Sequence, residues 1–431
     1  MLAAVATLFT ACNKDTDCGH EFIEHDFTKD PIIAVEEDGW LIAKDTTLGA
    51  DCGIGIAAQM VALTDPDLKC GKIEALFTVS EETGLDGAMA LEPGFITGKI
   101  LVNLDSEDEG ELFIGCAGGI DTTAKFKYST YPATKDFVKC EFKIFGAQGG
   151  HSGDDIDKNR ANANKILARF LYRVLAKHDI ELYEIDGGNK RNAIAREAYA
   201  VIGFAKRSQK AILKTFKEVV AEAQDEFKVS DPAVDGVARE VGIHDVEEGI
   251  CFGTPTKAID KNTAASLIYA LNCAPHGVLA MSNDVKGLVE TSTNLASIKM
   301  QKGNIIRIGT SQRSAINSSR RYAAEQVEAC FELAGATVTH ESEYPGWKPN
   351  VNSEILEVSV AAYKRLFGVE PVVRAIHAGL ECGLFLDKFP GLDMISFGPT
   401  LRGVHAPGER LDLASLDKFR MLLEEVLVSV K

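Results

Sequence analysis

The chain has 431 residues, 45 % of them hydrophobic, and sets 63 acidic side chains against 46 basic ones for a net charge of −17. That length fits two domains, each able to bury a core. The acidic balance repels phosphate and argues against a nucleic-acid partner, and no apolar run reaches the ~18 residues of a membrane span.

Residues 1–11 are apolar and end in Phe9-Thr10-Ala11-Cys12, loosely like a lipoprotein cleavage site. The basic residues that open a signal peptide are lacking. The ten cysteines are scattered, with no Cys-x-x-Cys pair, as reduced thiols of a cytoplasmic protein are. Residues 32–44 read as a hairpin turning at Glu37-Asp38-Gly39, and 53–63 have helical spacing of apolar residues. Short apolar runs at 73–79 and 100–104 predict buried strands. Such alternation points to an α/β layer with a largely parallel sheet.

Around residue 120 the pattern changes. Residues 126–145 alternate as strands do; helices are expected over 159–177, 208–227 and 320–334, and strands over 198–205, 288–299 and 305–311. From about residue 342 the first pattern resumes, with a strand at 394–397 and a capped helix over 415–430. The expected organisation is an α/β domain over 1–119 and 341–431, interrupted by an α+β domain over 120–340.

Three acidic positions stand where chemistry is done in such folds. Asp51 precedes the 53–63 helix, Glu81 and Glu82 follow the 73–79 strand, and Asp105 follows the 100–104 strand. Sites in open α/β sheets gather at the carboxyl ends of strands. Taken singly, these residues fit ordinary roles, an N-cap for Asp51 and solvated loops for the others. Brought together they would repel one another unless a cation or a proton intervened. With a histidine nearby, a divalent transition metal suits the set, and adjacent glutamates can divide ligation from proton transfer. His405 lies in a Gly/Pro-rich loop after a strand, and His151 is flanked by glycines in Gly149-Gly150-His151-Ser152-Gly153. Arg313 is of the type that clamps a carboxylate, although a lone arginine is ordinarily a surface charge.

Nine motifs in one order resemble the aminoacyl-histidine dipeptidases (peptidase D, β-alanyl-histidine dipeptidase) of family M20. They are Thr-Thr-Leu-Gly-Ala-Asp at 46–51, Glu-Glu-Thr-Gly at 81–84, Asn-Leu-Asp-Ser-Glu at 103–107 and Gly-Cys-Ala-Gly-Gly at 115–119. Gly-Gly-His-Ser-Gly at 149–153, Arg-Asn-Ala-Ile at 191–194 and Tyr-Pro-Gly-Trp at 344–347 follow. His-Ala-Gly-Leu-Glu-Cys-Gly at 377–383 and His-Ala-Pro-Gly-Glu at 405–409 complete the set. The resemblance implies an M20-type α/β catalytic domain, a mixed sheet flanked by helices whose first strands are missing, with an inserted α+β lid and dimerisation domain. It implies two zinc ions per chain, with Asp51 bridging them and Glu82, Asp105 and His405 as further ligands. Glu81 would be the general base; His151, Asn192, Arg313 and Gly379 would hold a small dipeptide substrate of the Xaa-His kind. A homodimer through the lid domain is implied as well.

The departures lie upstream. The family carries a His-x-Asp pair before the segment matching His25-Asp26-Phe27, the His as a zinc ligand and the Asp as its partner, and this chain has none. One alignment puts Cys12 and Lys14 there, another Thr7 and Phe9; His20 and His25 are the nearby imidazoles. The opening helix and strands of the family's domain are also expected to be absent, as in an N-terminally truncated member. One zinc instead of two would then be held. Cys52, Ala195, Ala406 and Gly408 are smaller departures. The alternatives are another M20 amidohydrolase (a deacylase or tripeptidase) and a non-catalytic dimerising or binding relative.

Overall fold

The computed structural model describes residues 2–8, 25–241 and 255–430. The chain builds one unit from Met1–Cys116 and Pro345–Lys431 and a second from Ala117–Tyr344. Among the described residues no helix is long and apolar enough to cross a membrane.

The first unit is organised by a six-stranded sheet in the order Val372–Ile376, Glu111–Cys116, Asp393–Ser396, Ile100–Asn103, Leu2–Leu8, Ile73–Val79. The strand Leu2–Leu8, to which the sequence reading assigned no element, runs parallel to both neighbours, with Val5 beside Asn103 and Thr7 beside Thr78. Asp393–Ser396 is parallel to Ile100–Asn103, and the pairing of Ser396 with Phe113 is antiparallel. Val102, Leu112, Ile114 and Ile395 are fully buried. They pack with Phe397, Phe419, Leu423 and Val426, so the strands read as continuous apolar runs and not as alternating ones.

Two helices of this unit show why they begin where they do. Glu354–Phe367 starts at Ser353, whose side chain accepts from the Leu356 N–H, and stops at Gly368 in the left-handed region. Leu413–Ser429 starts at Asp412, which accepts from the Ser415 N–H. A four-stranded sheet joins the hairpin Ala34–Glu37 and Trp40–Ala43 to Arg410–Asp412 and Leu401–Arg402. The hairpin turns through Asp38 and Gly39, both at positive φ, as a tight two-residue turn requires.

The second unit is built on a nine-stranded sheet among the described residues. Its main path runs Asp235–Glu240, Phe137–Phe145, Ala198–Ala205, Ile180–Gly187, Val289–Gln301, Ile305–Ser314, Gly118–Lys127, Thr337–Tyr344. Helices Ala163–Leu175, Gln209–Glu226, Lys261–Cys273 and Asn317–Leu333 supply apolar side chains to the core that covers it. The first of these begins later than its apolar spacing suggests, because Asn162 caps it by accepting from the N–H groups of Asn164 and Lys165. At its centre Phe170 stacks 4.6 Å from Phe142 and 4.9 Å from Phe216, ring centre to ring centre.

Phe170 is fully buried in that cluster. Truncation there leaves a cavity the sheet cannot close. Phe170→Ala is expected to destabilise the chain by about 3–5 kcal/mol, read as a lowered denaturant midpoint. An unchanged midpoint would contradict this packing.

Candidate metal centre

The carboxyl ends of the parallel strands in the first unit carry the predicted acidic residues. After Val79 the chain turns at Ser80, whose φ of 56° is unusual for a residue with a side chain, and enters the short helix Glu81–Gly84. That turn points Glu81 and Glu82 off the end of the strand. Asp105 is set by the next loop, where its N–H donates to Asn103 Oδ1 at 3.1 Å. Asn103 is itself held by the Ser396 hydroxyl at 2.6 Å, and Gly398 lets the neighbouring strand close on Ser106, where a Cβ would meet the carbonyl oxygen at 1.7 Å.

Asp51 is placed by a residue to which the sequence reading gave no role. Glu409 is buried, and its carboxylate accepts four backbone N–H groups, from Leu48 at 2.9 Å, Gly49 at 3.1 Å, Ala50 at 2.8 Å and Asp51 at 3.3 Å. A carboxylate so placed shapes the entry of helix Ala50–Thr64, within which Asp51 and Cys52 keep non-helical backbone angles. The same segment presents His405, at φ 62°, four residues before Glu409.

These placements bring three ligand types together. His405 Nε2 lies 3.1 Å from Asp51 Oδ2 and 2.9 Å from Glu82 Oε1. The ligand atoms of Asp51, Glu82 and His405 all lie within 4.8 Å of one another. In a tetrahedral site with bonds of about 2.0–2.2 Å, neighbouring ligand atoms stand roughly 3.4 Å apart, so the two His405 contacts need only slight expansion to hold an ion. Two carboxylates and an imidazole are donors suited to zinc or a similar divalent metal. The residues therefore fit a metal.

The bonds to Asp51 and Glu82 raise the His405 imidazole to about 11. Burial, with the charges of Glu82, Glu381 and Asp51, pushes Glu81 up to about 8. Burial and the Asp51 and Glu81 charges hold Asp105 well above the carboxylate range. Two acidic residues without an assigned role belong to the same neighbourhood. Burial lifts Glu107 to about 7, with Asp51 adding to the rise, and burial lifts Glu381 to about 7 as well. Both lie in motifs that carry the family resemblance, at 103–107 and 377–383, but the sequence reading gave neither a role. Cys52 is buried and its thiol donates to the Leu104 carbonyl at 3.0 Å, while burial and the Asp105 and Asp51 charges keep it protonated.

Gly379 lies in the loop between Val372–Ile376 and helix Cys382–Lys388, two residues before Glu381. The remaining predicted substrate residues are in the second unit. His151 pairs with Ala193 across a two-residue bridge, and the Ser152 N–H donates to the Asn192 carbonyl at 2.8 Å, so the His151 loop and Asn192 stand together. Arg313 is buried in strand Ile305–Ser314 and donates to the Tyr344 hydroxyl at 3.2 Å. Its charge is felt at Asp154, three residues past His151. Of the residues set against the His-x-Asp pair, Thr7 pairs with Thr78 across strands Leu2–Leu8 and Ile73–Val79; Phe9, Cys12, Lys14 and His20 lie outside the described residues.

Against known proteins, residues 15–429 match the model of peptidase family M20/M25/M40. The chain belongs to that family. It is of the dipeptidase kind within M20. It is 37 % identical over 410 residues to the cytosol non-specific dipeptidase of Escherichia coli, covering 94 % of this chain and 81 % of the relative. The crystal structure of an aminoacylhistidine dipeptidase from Vibrio alginolyticus superposes with a TM-score of 0.88 at 36 % identity, over 99 % of this chain and 84 % of that one. An aminopeptidase PepT from Bacillus cereus shares the fold alone, with a TM-score of 0.51 at 16 % identity, over all of this chain and 80 % of its own.

Two outcomes follow for this M20 centre. Removing the carboxylate that shapes the Asp51 turn, by Glu409→Ala, is expected to weaken cation binding by about 10- to 100-fold, measured by titration calorimetry; unaltered affinity would dissociate Glu409 from the centre. Because the imidazole of His405 is protonated at neutral pH in the ion-free site, a cation must displace that proton. Binding therefore releases about one proton or more per ion, and affinity rises with pH below the imidazole's raised pKa. Calorimetry in two buffers of different ionisation heat measures this, and zero release would be inconsistent with the ion-free state described.

Proposed function

We propose that the chain hydrolyses dipeptides, with the Xaa-His kind among its substrates, using zinc held by Asp51, Glu82 and His405. The observation that carries this reading is the meeting of those three side chains beside Glu81, a carboxylate held in a buried, acidic neighbourhood. A divalent cation bound there supplies Lewis acidity, polarising the scissile carbonyl and making water acidic near neutral pH.

Glu81 is adjacent in sequence to the ligand Glu82 and is not needed as a ligand itself. Its carboxylate takes a proton from the attacking water as the oxygen adds to the amide carbon. It then returns the proton to the departing nitrogen as the C–N bond breaks, leaving a carboxylate and a free amine. His151, Asn192, Arg313 and Gly379 are proposed to hold the dipeptide, His151 at the developing oxyanion and Arg313 at the terminal carboxylate. For those four the support is the motif resemblance and, in the second unit, the clustering of His151, Asn192 and Arg313. A homodimer through the 120–340 domain is proposed on the same resemblance.

A second cation position is proposed between Asp51 and Asp105. The family's upstream imidazole has no counterpart in the motif set of this chain; one alignment sets Cys12 at its place and another Thr7. One firmly held zinc and a weaker second are expected on this reading.

The test is Glu81→Gln in the zinc-loaded protein. It should lower kcat for a dipeptide by about 10²–10⁴-fold with zinc content retained. Turnover at the wild-type rate would remove Glu81 from the mechanism.

A further inference from the structure

Glu381 ends the loop that leaves strand Val372–Ile376, and the reaction as proposed gives it no task. It is 1 % exposed, and neither carboxylate oxygen has a hydrogen-bond partner among the described residues. The Thr78 hydroxyl nearby draws its pKa down against burial, but its geometry falls short of a hydrogen bond. Glu381 lies close enough to Glu81 and Asp105 for its charge to act on both. A buried carboxylate with two unsatisfied oxygens is costly, and proteins hold such groups where a positive partner arrives.

The partner need not be a metal ion. The trio whose ligand atoms come within 4.8 Å of one another is Asp51, Glu82 and His405, and Glu381 is not in it. An organic cation reaches further. In a dipeptide the amino nitrogen is two bonds from the scissile carbonyl carbon, about 2.5 Å away, or one bond more in a β-amino substrate. Once Glu81 is at the carbonyl, the substrate's ammonium must sit in the immediate neighbourhood of Glu81, where Glu381 stands.

We propose that Glu381 is a specificity-determining residue that receives the free ammonium group of the substrate's first residue. This rests on the dipeptidase reading and deepens it. The substrate class becomes unblocked dipeptides with an α- or β-amino group. An N-acyl amino acid or an N-blocked peptide offers a neutral amide there and leaves the buried carboxylate unpaired, which sites of this kind penalise strongly. The inference thus separates the chain from a deacylase by a residue and not only by motif count.

The experiment compares alanyl-histidine with propionyl-histidine, which lacks only the amino group, on the full-length zinc-loaded chain. The wild type should prefer alanyl-histidine by about a hundredfold or more in kcat/KM. Glu381→Gln should lose roughly 30-fold or more on alanyl-histidine, change less than about threefold on propionyl-histidine, and keep its zinc. An equal loss on both compounds makes Glu381 merely structural and overturns the proposal; loss of zinc makes it a metal ligand and does the same. If the variant does not fold, the wild-type comparison decides alone, since equal rates on the two compounds leave no ammonium site to assign. Failure to hydrolyse either compound or any other dipeptide sinks the dipeptidase reading itself, an outcome distinct from hydrolysis indifferent to the amine.

Discussion

Repulsion among carboxylates governs the first unit. Asp51, Glu81, Glu82, Asp105, Glu107 and Glu381 gather at one end of a parallel sheet, with the His405 imidazole as a cationic counterpart between two of them. In a medium of low dielectric such a group cannot all be ionised without a compensating positive charge. Burial is the largest cause of the upward shifts of Glu81, Asp105, Glu107 and Glu381, and neighbouring carboxylate charges add to the rise at the first three. A divalent cation would relieve the same repulsion with more charge in less space, and on the proposed mechanism would leave Glu81 free to act as a base. Chemistry and electrostatic relief are in this sense one event.

The scaffold holds this arrangement at a local cost. Ser80 and His405 both adopt left-handed backbone angles, each an expense of about 1–3 kcal/mol for a residue with a side chain. They are the residues that aim Glu81–Glu82 and the imidazole into the centre. Compensation comes from ordinary packing and from Glu409, whose four accepted N–H groups satisfy donors that a helix entry leaves without partners. The rigid part of the centre is therefore the Asp51 turn. The His405 side chain, more than half exposed at 58 %, is its adaptable part.

Period and punctuation made much of the fold legible. The strands at 73–79 and 198–205 emerge residue for residue, because buried apolar runs between polar breaks have little other meaning. Helix Lys261–Cys273 went unassigned, since its Thr, Asn and Tyr residues dilute the apolar stripe and its signal is a single cap at Asp260. At the centre, Asp51, Glu82 and His405 were legible from their places after strands and before a helix, a rule of topology and not of composition. Glu409 and Glu381 were not. Glu409 acts on backbone about 360 residues away, and Glu381 is distinguished only by burial without partners, a property no local window contains.

The two proposed cation positions share Asp51 but are unequally equipped, and the inequality sets an order of filling. At the first, an imidazole contributes a neutral donor once its proton has left, so the ion meets two carboxylate charges and no excess repulsion. At the second, burial and the Asp51 charge hold the Asp105 carboxyl well above the carboxylate range, and no further imidazole is assigned to it. Entry there must displace the proton on Asp105 and also meet the field of the ion already bound. The first position is accordingly occupied at lower metal concentration. Glu81, adjacent in sequence to the first position's ligand Glu82, then has the Lewis acid it serves before the second ion arrives. An M20 centre built this way retains the parts of its chemistry that depend on one ion, and what the second contributes becomes a matter of metal supply and pH.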